Sequence, residues 1–171
     1  MTDRGLQHLA ARLIALGIET ETQIATAESC TGGLIAGALT EIAGASAVFT
    51  HGFVTYSNDA KVQCLGVPAA LIAQHGAVSA PVALAMARGA RSVSGADLTL
   101  SVTGIAGPGG GSPEKPVGLV FFGVSDRRGT IVHRRVFAGR DRHNVRRETV
   151  RTALRLLMTA LQARLSSPPQ G

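Results

Sequence analysis

Gln23-Ile24-Ala25-Thr26-Ala27-Glu28-Ser29, followed at once by Cys30-Thr31-Gly32-Gly33, is the stretch whose reading decides the fold. A short apolar run bounded by turn-forming residues reads as a strand, and its end delivers Glu28 and Ser29. The following segment, Thr31 to Ile42, reads as a helix ended by Gly44. Strand, tight turn and helix in that order is where α/β proteins usually bind ligands.

Upstream, Leu6, Leu9, Leu13 and Leu16 recur at helical spacing, so residues 3 to 16 read as a first helix with Gly17 as its stop. Downstream, the β-branched and aromatic residues from Ala47 to Tyr56 suggest a second strand. Asn58 or Asp59 can cap a short helix carrying Lys61, which places Tyr56 and Lys61 across a strand-to-helix junction. A further helix begins near Pro68, and a long one, 79 to 95, opens with Ser79 as cap and Pro81 in its first turn. Residues 97 to 104 alternate as a strand, whereas 104 to 116, GIAGPGGGSPEKP, is too rich in Gly and Pro for regular structure. Segments 117 to 126 and 130 to 139 form a hairpin around Arg127, Arg128 and Gly129. A last helix spans Asp141 to Leu165 and leaves 166 to 171 as a disordered tail. Elements that alternate βαβ and then give a hairpin predict an α/β fold with a mixed sheet flanked by helices, residues 1 to 165 forming one domain.

Composition agrees with one ordinary core: 171 residues, 45% hydrophobic but only 4% aromatic, to be packed from Ala, Val, Leu and Ile. No apolar stretch approaches the roughly 18 residues of a membrane span, and the amino end lacks the features of a signal peptide, so no membrane association and a cytoplasmic location are expected. Two cysteines, Cys30 and Cys64, are too few for a disulfide framework. Of the 17 basic residues behind the formal charge of +6, ten lie between Arg127 and Arg155. Arg147, Arg151 and Arg155 recur opposite the stripe Val145, Thr149, Ala153, Leu156 and Ala160, which favours a solvated helix face over a nucleic-acid surface. Aromatic residues to stack on single-stranded bases are scarce as well.

Three clusters can carry chemistry: Ala27 to Gly33, Thr55 to Lys61, and Thr103 to Gly111. Each falls at or just after the end of a predicted strand, so a mixed sheet can bring them to one crevice. Read from the residues alone, Ser29 is an ordinary N-cap and Lys61 a solvated residue in a first helical turn. The five histidines show no pairing at ligand spacing, which gives a metal site no support, and nothing singles out a histidine for a Ser-His-Asp triad.

ESCTGG (28 to 33), TYSNDAK (55 to 61) and VTGIAGPGGGSPEKPVGLV (102 to 120) resemble the CinA C-terminal domain family, from about Leu6 to Leu161. Active members of that family are nicotinamide-nucleotide amidases. The resemblance implies a three-layer α/β/α sandwich that hydrolyses the carboxamide of nicotinamide mononucleotide to nicotinate mononucleotide and ammonia without a cofactor, returning the pyridine ring to NAD synthesis. It implies Ser29 as nucleophile, with Lys61 and the nearby Tyr56 as its partners. A serine hydroxyl needs such a base, and a lysine serves near neutral pH only if its pKa lies well below the ordinary value of about 10.4. Glu28, Cys30, Thr31, Gly32 and Gly33 then line the substrate, with the N–H groups of Thr31, Gly32 and Gly33 free to receive an oxyanion or phosphate. Cys30 reads as a packed small hydrophobe rather than the nucleophile. Thr103, Gly104, Gly107, Gly109 and Gly110 belong to a loop that can cradle phosphate or ribose, although no Walker motif is present. Arg142 and Arg146 resemble arginines the family places near its ligand, and one of them can bond phosphate in bidentate fashion. A homo-oligomer is also expected. The competing readings are a non-catalytic nucleotide-binding regulatory module linked to competence or DNA damage, and a nucleic-acid binder whose affinity collapses in modest salt.

Overall fold

The computed structural model describes residues 4 to 166; of the tail expected over 166 to 171, Ser166 caps the last helix and the rest lies outside the described residues. The elements run α1 (Arg4–Glu19), β1 (Ile24–Glu28), α2 (Leu34–Thr40), a 3-10 turn (Ala45–Ala47), β2 (Phe49–Val54), α3 (Asn58–Leu65), α4 (Ala69–His75), α5 (Ala80–Ser94), β3 (Leu98–Gly104), β4 (Leu119–Asp126), β5 (Gly129–Val136) and α6 (Arg142–Leu165). The strands form one mixed sheet in the order β2-β1-β3-β4-β5. β1 is parallel to both β2 and β3, and β3, β4 and β5 are antiparallel neighbours. This is the expected α/β sandwich.

Its chirality positions the site. From β1 the chain passes through α2 to β2 on one side, then returns through α3, α4 and α5 to β3 on the other side of β1. Right-handed crossovers in opposite directions put their helices on opposite faces of the sheet. The carboxyl ends of β1, β2 and β3 therefore share one edge, with the direction of winding reversing between β1 and β3, where such folds open a ligand crevice.

One face carries α1, α2 and α6 over Ile24, Leu98, Leu100, Val102 and Phe122. On the opposite face Val82, Met86 and Ala90 of α5 pack with Ala27, Leu65, Val67 and Ile72. Small residues bring α5 very close: Thr99 Oγ1 and Ser101 Oγ donate to the Ala87 and Ala83 carbonyls at 2.8 and 2.6 Å. A Cβ at Gly123 would lie 2.6 Å from Ser101 Oγ and meet the Ala83 carbonyl as well. Gly123→Ala is therefore expected to cost about 1–3 kcal/mol, read as a lower urea midpoint with an unchanged slope.

Several element ends differ from the sequence reading, each for a local reason. α1 continues through Gly17 to Glu19 because Gly17 is buried against Val48, where a Cβ would come within 2.5 Å of Val48 Cγ1; glycine serves close packing there, not termination. α2 is shorter than Thr31 to Ile42, since residues 30 to 33 form a separate turn. β2 begins at Phe49, after the 3-10 turn. Ser57, not Asn58 or Asp59, caps α3 by accepting from Ala60 N. Ser79 precedes α5 but donates its hydroxyl to the Gly76 carbonyl instead of capping. The buried stripe of α6 runs through Val145, Thr149, Val150, Ala153, Leu154, Leu157, Met158 and Leu161, leaving Leu156 and Ala160 only partly covered.

Candidate active site

The end of β1 is built around Glu28. Its side chain is 1% exposed and accepts from Gly33 N (3.0 Å), Ile35 N (3.0 Å) and Ala36 N (2.8 Å), the N–H groups that the first turn of α2 leaves without helical partners. Gly32 and Gly33, at φ +60° and +95°, let the chain double back tightly enough for a residue of the preceding strand to make this cap. Glu28 thus holds the turn. Ser29, for its part, is released from capping: its N–H donates to the Val102 carbonyl of β3, and its hydroxyl is free to meet Lys61.

Lys61 is only 1% exposed. From α3 its stem folds back over its own helix start, so that Nζ lies 3.1 Å from Ser29 Oγ and 2.9, 3.5 and 3.3 Å from the carbonyl oxygens of Thr55, Tyr56 and Ser57. Among the described residues no carboxylate pairs with it. Burial pushes its pKa below the ordinary lysine value. A neutral amine can donate its two hydrogens to carbonyls and present its lone pair to Ser29 O–H, the arrangement needed to activate a serine.

Cys30, although adjacent to Ser29, is buried, and burial pushes its thiol up to about 12. It remains a protonated, poorly reactive group at neutral pH. Thr31 and Thr55, fully buried on either flank, have hydroxyls with no hydrogen-bond partner; the sequence reading named Thr31 as a site residue and Thr55 only as the start of a cluster.

Both arginines from the start of α6 reach this end of the sheet. Arg146 donates Nε to the Cys30 carbonyl (3.1 Å) and Nη2 to the Thr31 carbonyl (2.8 Å), bracing the turn after Ser29. Arg142 donates Nη1 to the Gly107 carbonyl (3.0 Å) and Nη2 to Tyr56 Oη (2.9 Å), joining the glycine-rich loop to the β2–α3 junction. Tyr56 itself is 59% exposed, and it is its carbonyl, not its phenol, that approaches Lys61. Of the three N–H groups expected to be free, Gly32 donates to the Ser29 carbonyl and Gly33 to Glu28, whereas that of Thr31, like that of Cys30 before it, enters no main-chain hydrogen bond.

Thr103 and Gly104, expected in the loop, are the last residues of β3, paired with Phe121 and Val120; Thr103 is buried and donates to the Ala77 carbonyl (2.8 Å), so it ties β3 to the segment before α5. Gly104 and Gly107 are required by contact: a Cβ would lie 2.7 Å from Val120 Cγ2 and 2.6 Å from Val117 Cγ1, respectively. Gly109 and Gly110 border open space, free of any close neighbour. The second lysine, Lys115, which the sequence reading passed over, donates to the His75 carbonyl (2.7 Å) and anchors the loop to the end of α4. Three clusters distant in sequence are thus gathered at the carboxyl edge of the parallel strands.

The family model for the CinA C-terminal domain matches residues 6 to 161. The chain belongs to the CinA C-terminal domain family. Its relatives include a CinA-like protein of Citrifermentans bemidjiense, 55% identical over 160 residues covering 94% of this chain and 38% of that protein. A CinA-like protein of Geobacter sulfurreducens is 54% identical over 162 residues, 92% of this chain and 38% of its own. This chain therefore spans well under half the length of such CinA-like proteins. Among solved structures, the competence/damage inducible protein CihA from Agrobacterium tumefaciens superposes with a TM-score of 0.88 at 52% identity, covering 92% of this chain and 95% of that one. A CinA superfamily protein from Escherichia coli gives 0.85 at 33% identity, covering 96% and 93%. The CinA domain seen here has the α/β architecture of those neighbours. Among the described residues no helix is long and apolar enough to cross a membrane, and no three His, Cys, Asp or Glu side chains gather as a metal site.

Proposed function

We propose that this CinA domain is a nicotinamide-nucleotide amidase that hydrolyses the carboxamide of nicotinamide mononucleotide through Ser29 and Lys61. The observation that carries the reading is the 3.1 Å approach of a buried Lys61 Nζ, unpaired with any carboxylate, to Ser29 Oγ. Lys61 takes the Ser29 hydroxyl proton as Oγ bonds to the carboxamide carbon. The oxyanion that forms is received by the N–H groups of Cys30 and Thr31, whose carbonyls Arg146 holds from behind. Collapse breaks the carbon–nitrogen bond, and the departing nitrogen takes the proton from Lys61 and leaves as ammonia. Water, deprotonated by the same amine, then cleaves the acyl ester, releasing nicotinate mononucleotide and restoring Ser29. In this reading the ribose and phosphate lie against Tyr56, which Arg142 holds, and the open Gly109–Gly110 turn.

Ammonia release from nicotinamide mononucleotide tests the reaction. Wild type and Cys30→Ala are expected to turn over within about threefold of each other, because the Cys30 thiol stays protonated. Ser29→Ala is expected to be inactive. A wild-type chain that binds the nucleotide without releasing ammonia would instead favour a non-catalytic binding module.

A further inference from the structure

We propose that a second site, for a small anion bearing linked phosphate groups, lies between the carboxyl end of α5 and the β4–β5 turn. A cleft of about 600 Å³ opens there, lined by Arg88 and Arg91 of α5 and by Asp126, Arg127, Arg128 and Thr130 of the hairpin. It is remote from Ser29. Ser125, beside the turn, pairs with Thr99 at the start of β3, whereas Ser29 bonds to Val102 near that strand's other end; the turn faces the opposite edge of the sheet.

Four guanidinium groups share this cleft with one carboxylate, and the carboxylate is already engaged. Asp126 accepts from Arg128 Nε (2.9 Å), Nη2 (2.7 Å) and N (2.8 Å). This pair fixes the Arg128 side chain and cancels its charge, leaving those of Arg88, Arg91 and Arg127 unbalanced. Arg88 is oriented by donating Nε to Thr130 Oγ1 (3.2 Å), which is itself 2.9 Å from Ser125 Oγ. Arg91 Nε is buried and has no hydrogen-bond partner. A buried charged donor with an unmet hydrogen bond, among cations on two facing elements, calls for an anionic acceptor. Guanidinium forks match phosphate oxygens, and several of them suit a group with more than one phosphate. The cleft wall contains no aromatic side chain on which a nucleic-acid base could stack.

Titration calorimetry of the whole chain with inorganic pyrophosphate, at fixed ionic strength, tests the proposal. One pyrophosphate is expected to bind per chain, at least tenfold more weakly to Arg91→Ala and more weakly still to Arg88→Ala/Arg91→Ala. Arg127→Ala, at an exposed turn position, provides a second variant of the site should Arg91→Ala fail to fold, and it too is expected to weaken binding. Arg12→Ala, at an exposed position of α1 on the opposite face of the sheet, is expected to bind as wild type does. No saturable heat, binding that survives the double substitution, or equal loss in Arg12→Ala would each overturn the proposal, as would tighter binding of a single-stranded oligonucleotide than of pyrophosphate. Since the readout is binding away from Ser29, its outcome is independent of whether the chain releases ammonia.

Discussion

Lys61→Met is expected to lower kcat/KM for ammonia release by about 10³-fold while leaving the chain folded. Methionine keeps most of the length of the stem and its burial, so the cavity remains filled. Losing the amine leaves the Thr55 carbonyl without its 2.9 Å donor, but it also removes the need to desolvate an ionisable group, and the two effects oppose one another. The pH dependence provides a check that a merely structural residue would not pass. Since burial lowers the Lys61 pKa, the folded chain holds fewer protons than the unfolded chain between that lowered value and the ordinary one of about 10.4. In that window wild-type stability therefore rises with pH, and the Lys61 contribution is lost as pH falls through the folded value. Lys61→Met should lack this slope. Wild-type kcat/KM should rise along the same limb as the amine loses its proton, a limb the variant cannot display.

Glu28→Ala is expected to cost about 3 kcal/mol and to reduce activity beyond what its stability loss explains. It strands three N–H groups at the start of α2, each now bonded at 3.0 Å or less to a carboxylate that is itself 1% exposed. The same turn carries the N–H groups of Cys30 and Thr31, so loosening the cap displaces the oxyanion donors proposed above. Glu28→Gln keeps one acceptor oxygen and should retain part of both properties. Urea unfolding of the three proteins, set beside kcat and KM measured well below the midpoint, separates the effects: a positioning role lowers kcat in the Gln variant at temperatures where it is fully folded. Equal kcat for wild type and Glu28→Gln would confine Glu28 to stability.

What the sequence conveyed and what it withheld follow from the range of the interactions. The convergence of Ser29, Thr55–Lys61 and the glycine-rich loop was legible because strand ends and right-handed crossovers are set by local pattern and chirality. The path of α1 through Gly17 was not, because Val48, the residue that demands glycine there, lies on a distant segment. A serine before a helix reads as a cap, yet here the cap comes from the residue before it, reaching around a turn that two glycines make possible. Nor does NDAKVQCL announce that its lysine is buried: the helix lacks a clear apolar stripe, and Lys61 is covered because its stem folds over its own first turn towards Ser29. The motif resemblance singled out Lys61 where local chemistry favoured a solvated side chain. Arg142 and Arg146 were read as lying near the ligand, one of them bonding phosphate; that both also spend donors on carbonyls of the site's own loops is visible only once those loops are placed.

The most direct test of a Ser29 nucleophile activated by Lys61 is to quench the reaction with nicotinamide mononucleotide within its first turnovers and locate the acyl group by peptide mass spectrometry. The expected result is a nicotinoyl-nucleotide ester on the peptide containing Ser29, assigned to Ser29 by fragmentation, absent from Ser29→Ala and strongly reduced in Lys61→Met. An adduct on Cys30, or undiminished ammonia release by Ser29→Ala, would contradict it.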